Sequence, residues 1–344
     1  MIEPMSERDG QTNGRLLNVS IFRVISMLMI VLFHCMCYCA GVWQDFPCPT
    51  PSALMGVAAT FVVSLALPFF FFISGYLYAS IYLKKNGYRD WKSFVVNKFK
   101  RLILPAVTWT IIILVVLPFR YTAWELVAGI QHLWFLPALF CVFIIARLLS
   151  PWLLAERKPL VDVVIATVAV LAVYLAYWAY MTHEIHDGFL IGRITMFMGY
   201  FIAGMMLSKH RLTMKNKFLE LLLVLVLLGC HAVSLNKFVF AGQAVVDIFV
   251  IIVISVLLLD LLSSVKMKSD TVAHRLVNSL DKNGLGIYLV HQVLIMVLYQ
   301  YTRIEEVWLS SHPYLGTACL FLLILPISWA LTEFKRRLKL EPFL

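Results

Sequence analysis

The chain has 344 residues, 61% hydrophobic and only 14% charged, with 29 Lys and Arg against 19 Asp and Glu and a formal net charge of +10. A soluble domain carries about 25% charge. Here apolar residues come in blocks about twenty long, the length that crosses about 30 Å of hydrocarbon, broken by short basic stretches. This pattern excludes a soluble core and, lacking strand alternation, a barrel; the expected class is an all-α polytopic membrane protein, its basic balance facing an anionic lipid leaflet rather than nucleic acid.

The first apolar run, 16–40, is too long for a cleaved leader and reads as a retained signal anchor behind a short cytoplasmic segment, 1–15. It carries Arg23 and His34. Eleven residues are about three helical turns, so the two side chains point the same way within about 20° and lie about 16 Å apart along the axis. An ionisable group in hydrocarbon costs a few kcal/mol on the mildest scale, so two in one segment need a reason. Each has a plainer alternative: Arg23 can snorkel to the interface, and His34 can be a hydrogen-bonded packing residue. Cys35, Cys37 and Cys39 do not share a helix face, so a metal site is not expected; a Cys39–Cys48 disulfide is an open alternative.

The second span, 55–82, holds Pro68, which should kink it, and Ser74, a residue type that more often packs helices than attacks substrate. The third, 102–118, follows Lys98-Phe99-Lys100-Arg101, in which Lys100 and Arg101 read either as phosphate ligands or as ordinary interfacial anchors. His132 opens the fourth span, 132–149. The remainder are 160–181, 189–208 with Arg193, 217–235 with His231, 240–262 with Asp247, 284–301 with Tyr288 and His291, and 313–332, followed by a basic tail, 333–344. His231 reads as structural, and Asp247 as needing a partner on a neighbouring helix. Ten spans result. Placing 24 of the 29 basic residues on one side leaves three in the opposite loops, which predicts cytoplasmic termini at both ends.

That topology sorts the intramembrane polar residues into two tiers. Arg23, Lys100, Arg101, Ser74 and His291 are expected near the cytoplasmic face; His34, His132, Arg193, His231 and Asp247 nearer the outer face. Guanidinium groups suit phosphate, and imidazoles suit proton transfer near neutral pH. The tiers suggest an anionic group entering from the cytosol and reacting further across.

Six stretches in order resemble the membrane acyltransferase-3 family of bacterial surface-glycan acyltransferases. They are the Arg23–His34 spacing, Phe71-Phe72-Ile73-Ser74-Gly75-Tyr76-Leu77, the basic Lys98–Pro105 stretch, His132-Leu133-Trp134-Phe135-Leu136, the Arg193–Gly204 helix with its Gly199-Tyr200 pair, and Tyr288-Leu289-Val290-His291. One departure is clear: the family's DxLR approach is Ser20-Ile21-Phe22-Arg23 here, so the acidic neighbour of Arg23 is missing. A fused esterase-like domain is likewise not expected, so the acyl group would reach its acceptor directly or through a separate partner.

The resemblance implies an O-acyltransferase of the bacterial inner membrane, moving acetyl from cytosolic acetyl-CoA to a sugar hydroxyl of a surface polysaccharide or lipid-linked glycan, alone or with glycan-assembly proteins, and without a metal. Combined with residue chemistry, it assigns catalysis to His34 and Arg23, donor binding to Arg23, Arg101 and Lys100, and acceptor binding to His132, Arg193 and His291, with oxyanion stabilisation the alternative role for His132 and Arg193. The alternatives are a glycan or lipid transporter, whose polar residues would line a route, and a scaffold that tolerates loss of His34.

Overall fold

A computed structural model describes residues 5–84, 88, 90–182, 189–210, 213–235, 241–268 and 271–338, with side chains of 5–16, 177–182, 189 and 241–245 outside the description. Of the basic residues used for topology, Lys85, Arg89, Arg211, Lys237 and Lys339 lie outside the described residues. Among those described there is no strand. The helices in order are α1 (Met5–Met36), α2 (Ala53–Tyr82), α3 (Trp91–Lys98), α4 (Leu104–Val116), the short α5 (Ala123–Ala128), α6 (Phe135–Leu153), α7 (Pro159–Thr182), α8 (Phe189–His210), α9 (Lys217–Ser234), α10 (Ala241–Ser263), α11 (Val272–Thr302) and α12 (Pro313–Arg337). A π-helical turn, Phe99–Ile103, fuses α3 to α4. Ten spans among the described residues are long and apolar enough to cross a membrane.

Three boundaries differ from the sequence reading. The third span starts at Trp91, because the Asp90 carboxylate caps the backbone N–H groups of Lys92 and Ser93 and the helix then runs on into the apolar stretch. The ninth starts at Val272, capped by the Thr271 hydroxyl, about three turns before the apolar run begins. This brings Asp281 and Lys282 onto α11. The last helix reaches Arg337, so the tail begins as helix. α2 runs as one helix through Pro68.

Two glycines fix the centre of the bundle. A Cβ on Gly75 would overlap the Phe201 carbonyl oxygen, and one on Gly204 would overlap that of Phe72. The backbones of α2 and α8 therefore meet directly, an approach only glycine permits. Phe71 stacks on Phe197 beside this contact, with ring centroids 4.7 Å apart. α1 lies against α2 through Phe22, whose ring is 5.1 Å from Phe69, and on its other side against α11. Peripheral α9 is tied in by polar bonds: the Ser64 hydroxyl and His231 Nε2 are 2.8 Å apart, His231 Nδ1 is 3.6 Å from Asp247, and Ser234 donates to Asp247 over 2.8 Å. Both residues thus take the structural roles their setting suggests. Cys39 and Cys48 are free thiols, Cys39 being turned toward the Leu309 carbonyl.

Candidate active site

Three imidazoles converge from α1, α11 and the turn before α6. His34 and His291 are 4.9 Å apart between ring centroids, His132 and His291 5.5 Å, and His34 and His132 6.2 Å. His132 and His291 are fully buried; His34 keeps accessible surface. His291 therefore joins the histidine group rather than the guanidinium tier where sequence reasoning put it. The extended α11 explains the shift: its first turns lie at the height of Arg23, leaving His291 two to three turns further along.

The hydrogen bonds assign the tautomers of the neutral rings. His291 Nδ1 lies 3.0 Å from the Ile287 carbonyl. A carbonyl only accepts, so this nitrogen carries the proton and Nε2 is left as an acceptor. That Nε2 faces His34 Nδ1 over 3.1 Å, and the same His34 nitrogen is 2.9 Å from the Ile30 carbonyl. His34 Nδ1–H thus donates, and His34 Nε2 presents the bare lone pair. In His132 the order reverses: Nε2–H donates to the Leu289 carbonyl over 3.2 Å, and Nδ1 has no hydrogen-bond partner among the described residues.

His132 reaches this depth through an irregular approach. The Thr122–Glu125 capping box opens α5, Gly129 ends it and turns at φ 96° under Trp134, and Gln131 takes a left-handed φ of 50°. A non-glycine residue there is strained and must be held by its surroundings. Gln131 donates to Asp45 (2.8 Å) and Tyr121 (3.0 Å) and accepts from Gln292 (3.2 Å). A 3₁₀ turn, Gln131–Trp134, then points His132 inward, where the Tyr288 hydroxyl donates to its backbone carbonyl. Trp134 in the same turn is covered by the Arg193 guanidinium, 3.6 Å from the ring centroid. Arg193 is therefore anchored one side chain away from His132 by cation–π contact.

On the other side of Tyr288 lies a cavity of about 220 Å³. Arg23, Lys98, Arg101 and Asp281 supply its charges; Phe70, Leu77, Phe135, Leu136, Leu139 and Phe143 supply apolar wall. Ser74 also lines it. Lys98 sits over the Phe143 ring at 3.5 Å. Lys100 is exposed and outside the lining, because two residues of helix turn it to the other side from Lys98. Of the proposed donor cations, the structure thus brings Arg23 and Arg101 together and adds Lys98, which sequence reasoning passed over as a loop residue. It also adds Asp281, whose Oδ1 is 2.9 Å from Arg23 Nη1. The missing acid is present, on another helix.

The lining ends at Met27, Phe70, Phe135 and Tyr288, and the Tyr288 ring is 5.2 Å from His132 and 5.9 Å from His291. A cationic mouth, an apolar neck and an imidazole cluster thus follow one another across the bundle. Chemically this suits an anionic group held at one end and a proton removed at the other. No curated protein and no solved structure matches the chain significantly. The family model described as an acyltransferase domain matches residues 16–333, nearly the whole chain. A multi-pass helical protein whose residues 16–333 match that model belongs to the membrane acyltransferase-3 family.

Proposed function

We propose that the protein is an O-acetyltransferase of a bacterial inner membrane, which takes acetyl from cytosolic acetyl-CoA and places it on a sugar hydroxyl of a surface polysaccharide or lipid-linked glycan. The observation that carries this reading is a cavity charged by Arg23, Lys98 and Arg101 that reaches Tyr288, whose ring lies 5.2 Å from His132 and 5.9 Å from His291 in the histidine cluster. Guanidinium and ammonium groups bind the phosphates of coenzyme A, and the apolar neck takes its uncharged thioester arm. His34 Nε2, the bare lone pair on the one accessible ring of the three, removes the acceptor hydroxyl proton as the oxygen attacks the thioester carbonyl; the C–S bond then breaks, and the proton passes from His34 to the departing thiolate, which leaves as free coenzyme A. His132 has committed its N–H to Leu289, so its ring has no donor left for an oxyanion; its bare Nδ1 is buried and would accept from a sugar hydroxyl only once the acceptor opens the cluster. Arg193 supplies positive charge beside that turn.

A transporter would need a route through the far side of the histidines. There Tyr299 packs edge to face with Tyr38, Trp43 and Phe46, and Trp43 lies tilted against Phe46, with centroids 5.4–6.0 Å apart. This packing favours the enzyme. The test is purified protein in detergent with acetyl-labelled acetyl-CoA: release of free CoA with label moved to added glycan supports the reading, and wild-type protein that neither binds coenzyme A nor releases it overturns it.

A further inference from the structure

Arg23 lies in the hydrocarbon-spanning part of α1 with its guanidinium partly exposed to the cavity, and a long charged side chain so placed has many rotamers to choose from. One carboxylate removes that freedom. Asp281 Oδ1 meets Arg23 Nη1 at 2.9 Å, while Asp281 Oδ2 accepts from the Ser20 hydroxyl at 2.8 Å. Ser20 and Arg23 are three residues apart on one helix, hence neighbours on its surface. Asp281, Ser20 and Arg23 therefore form one unit across the α1–α11 contact. The carboxylate lies within a hydroxyl's reach of position 20, so an acid on α1 at that position would occupy nearly the same space.

We propose that Asp281 is the positioning residue for Arg23, supplied from α11 in place of an acid at position 20, and that it fixes the guanidinium so that its free N–H groups face the cavity. The inference rests on the reading that this cavity binds the donor's phosphates. Three cations crowded at one mouth repel one another; Asp281 offsets part of that repulsion and holds Arg23 in place, so that Arg23 meets the ligand's charge together with Lys98 and Arg101. Asp281 touches no reacting atom and acts only through Arg23.

The test uses coenzyme A itself as the probe, titrated into full-length protein in detergent. Asp281→Asn should weaken binding about tenfold, the worth of one charge-assisted hydrogen bond. Ser20→Asp combined with Asp281→Ser should regain most of that affinity, whereas a general packing defect at position 281 would not be repaired from α1. Wild-type affinity in Asp281→Asn, or no recovery in a folded double variant, overturns the proposal. Melting in detergent supplies a second, ligand-independent readout. Removing the carboxylate should lower the melting temperature when Arg23 is present and have much less effect in an Arg23→Gln background. Equal loss in both backgrounds overturns the pairing. Absence of coenzyme A binding by wild-type protein would instead strike the donor reading, and the melting comparison would still decide the role of Asp281.

Discussion

The histidine cluster makes a graded prediction. His34→Ala removes the proposed base, and general base catalysis contributes about 10²- to 10⁴-fold, so turnover should fall by that much while the protein stays folded. His291→Leu removes only the acceptor that faces His34 Nδ1. The His34 ring keeps its second anchor, the Ile30 carbonyl at 2.9 Å, so the loss is one hydrogen bond of about 1 kcal/mol, or about fivefold in rate. His291→Gln retains an acceptor at similar volume and should stay closer to wild type than the Leu variant. Release of free CoA from acetyl-CoA in membranes containing the acceptor measures all three, with detergent melting to confirm that each is folded. The order His34→Ala far below His291→Leu, and His291→Leu below His291→Gln, is what the tautomer assignment demands. A His34→Ala variant with more than about a tenth of wild-type turnover removes this ring from the chemistry. His291→Leu as inactive as His34→Ala shows that His291 does more than orient its neighbour.

Arg23→Lys keeps the charge but loses the planar fork that meets both Asp281 and a phosphate, so coenzyme A should bind several-fold more weakly; equal binding would return Arg23 to a snorkelling role. Gly204→Ala puts a methyl group into the Phe72 carbonyl and should cost about 1–3 kcal/mol, read as a lower melting temperature, and an unchanged melt would mean that α2 and α8 are not in backbone contact. A single cysteine introduced at Gln44 or Arg120 should react with an impermeant maleimide from outside intact cells, and one at Lys215 or Lys266 only after permeabilisation; the reverse pattern would invert the donor side.

Most of the architecture was legible because hydrocarbon imposes one rule on every span. Ten apolar blocks gave ten spans, and the eleven-residue spacing put Arg23 and His34 on one face of α1; that this face meets α11 comes from the structure alone. What remained hidden was contributed by polar sequence. Asp281 sits in Ser279-Leu280-Asp281-Lys282-Asn283, which reads as a loop because its residues are hydrophilic, yet Thr271 starts a helix well before it. Lys98 was concealed in the same way by the basic approach to α4. Hydropathy finds where a chain needs lipid; it does not find where a helix begins in water. The depth of His132 was hidden for another reason. A histidine heading an apolar run reads as interfacial, and only the turn set by Gly129 and Gln131 carries it inward.

The two tiers are built into a single pair of helices. α1 and α11 touch at Arg23–Asp281 and again at His34–His291, eleven residues later on one helix and ten later on the other. Both numbers rise together, so the helices run parallel. They are the first and ninth of the ten spans, and parallel direction requires that an even number of crossings separate their starts. The contact register therefore agrees with the span count without any appeal to charge. It also fixes the distance between binding and chemistry. Ten or eleven residues of helix are about 15–16 Å. An anion held by Arg23 thus leaves the reacting end of its carrier that far away. On the proposed acetyl-CoA reading, an extended thioester arm along the apolar neck, past Tyr288, would connect them.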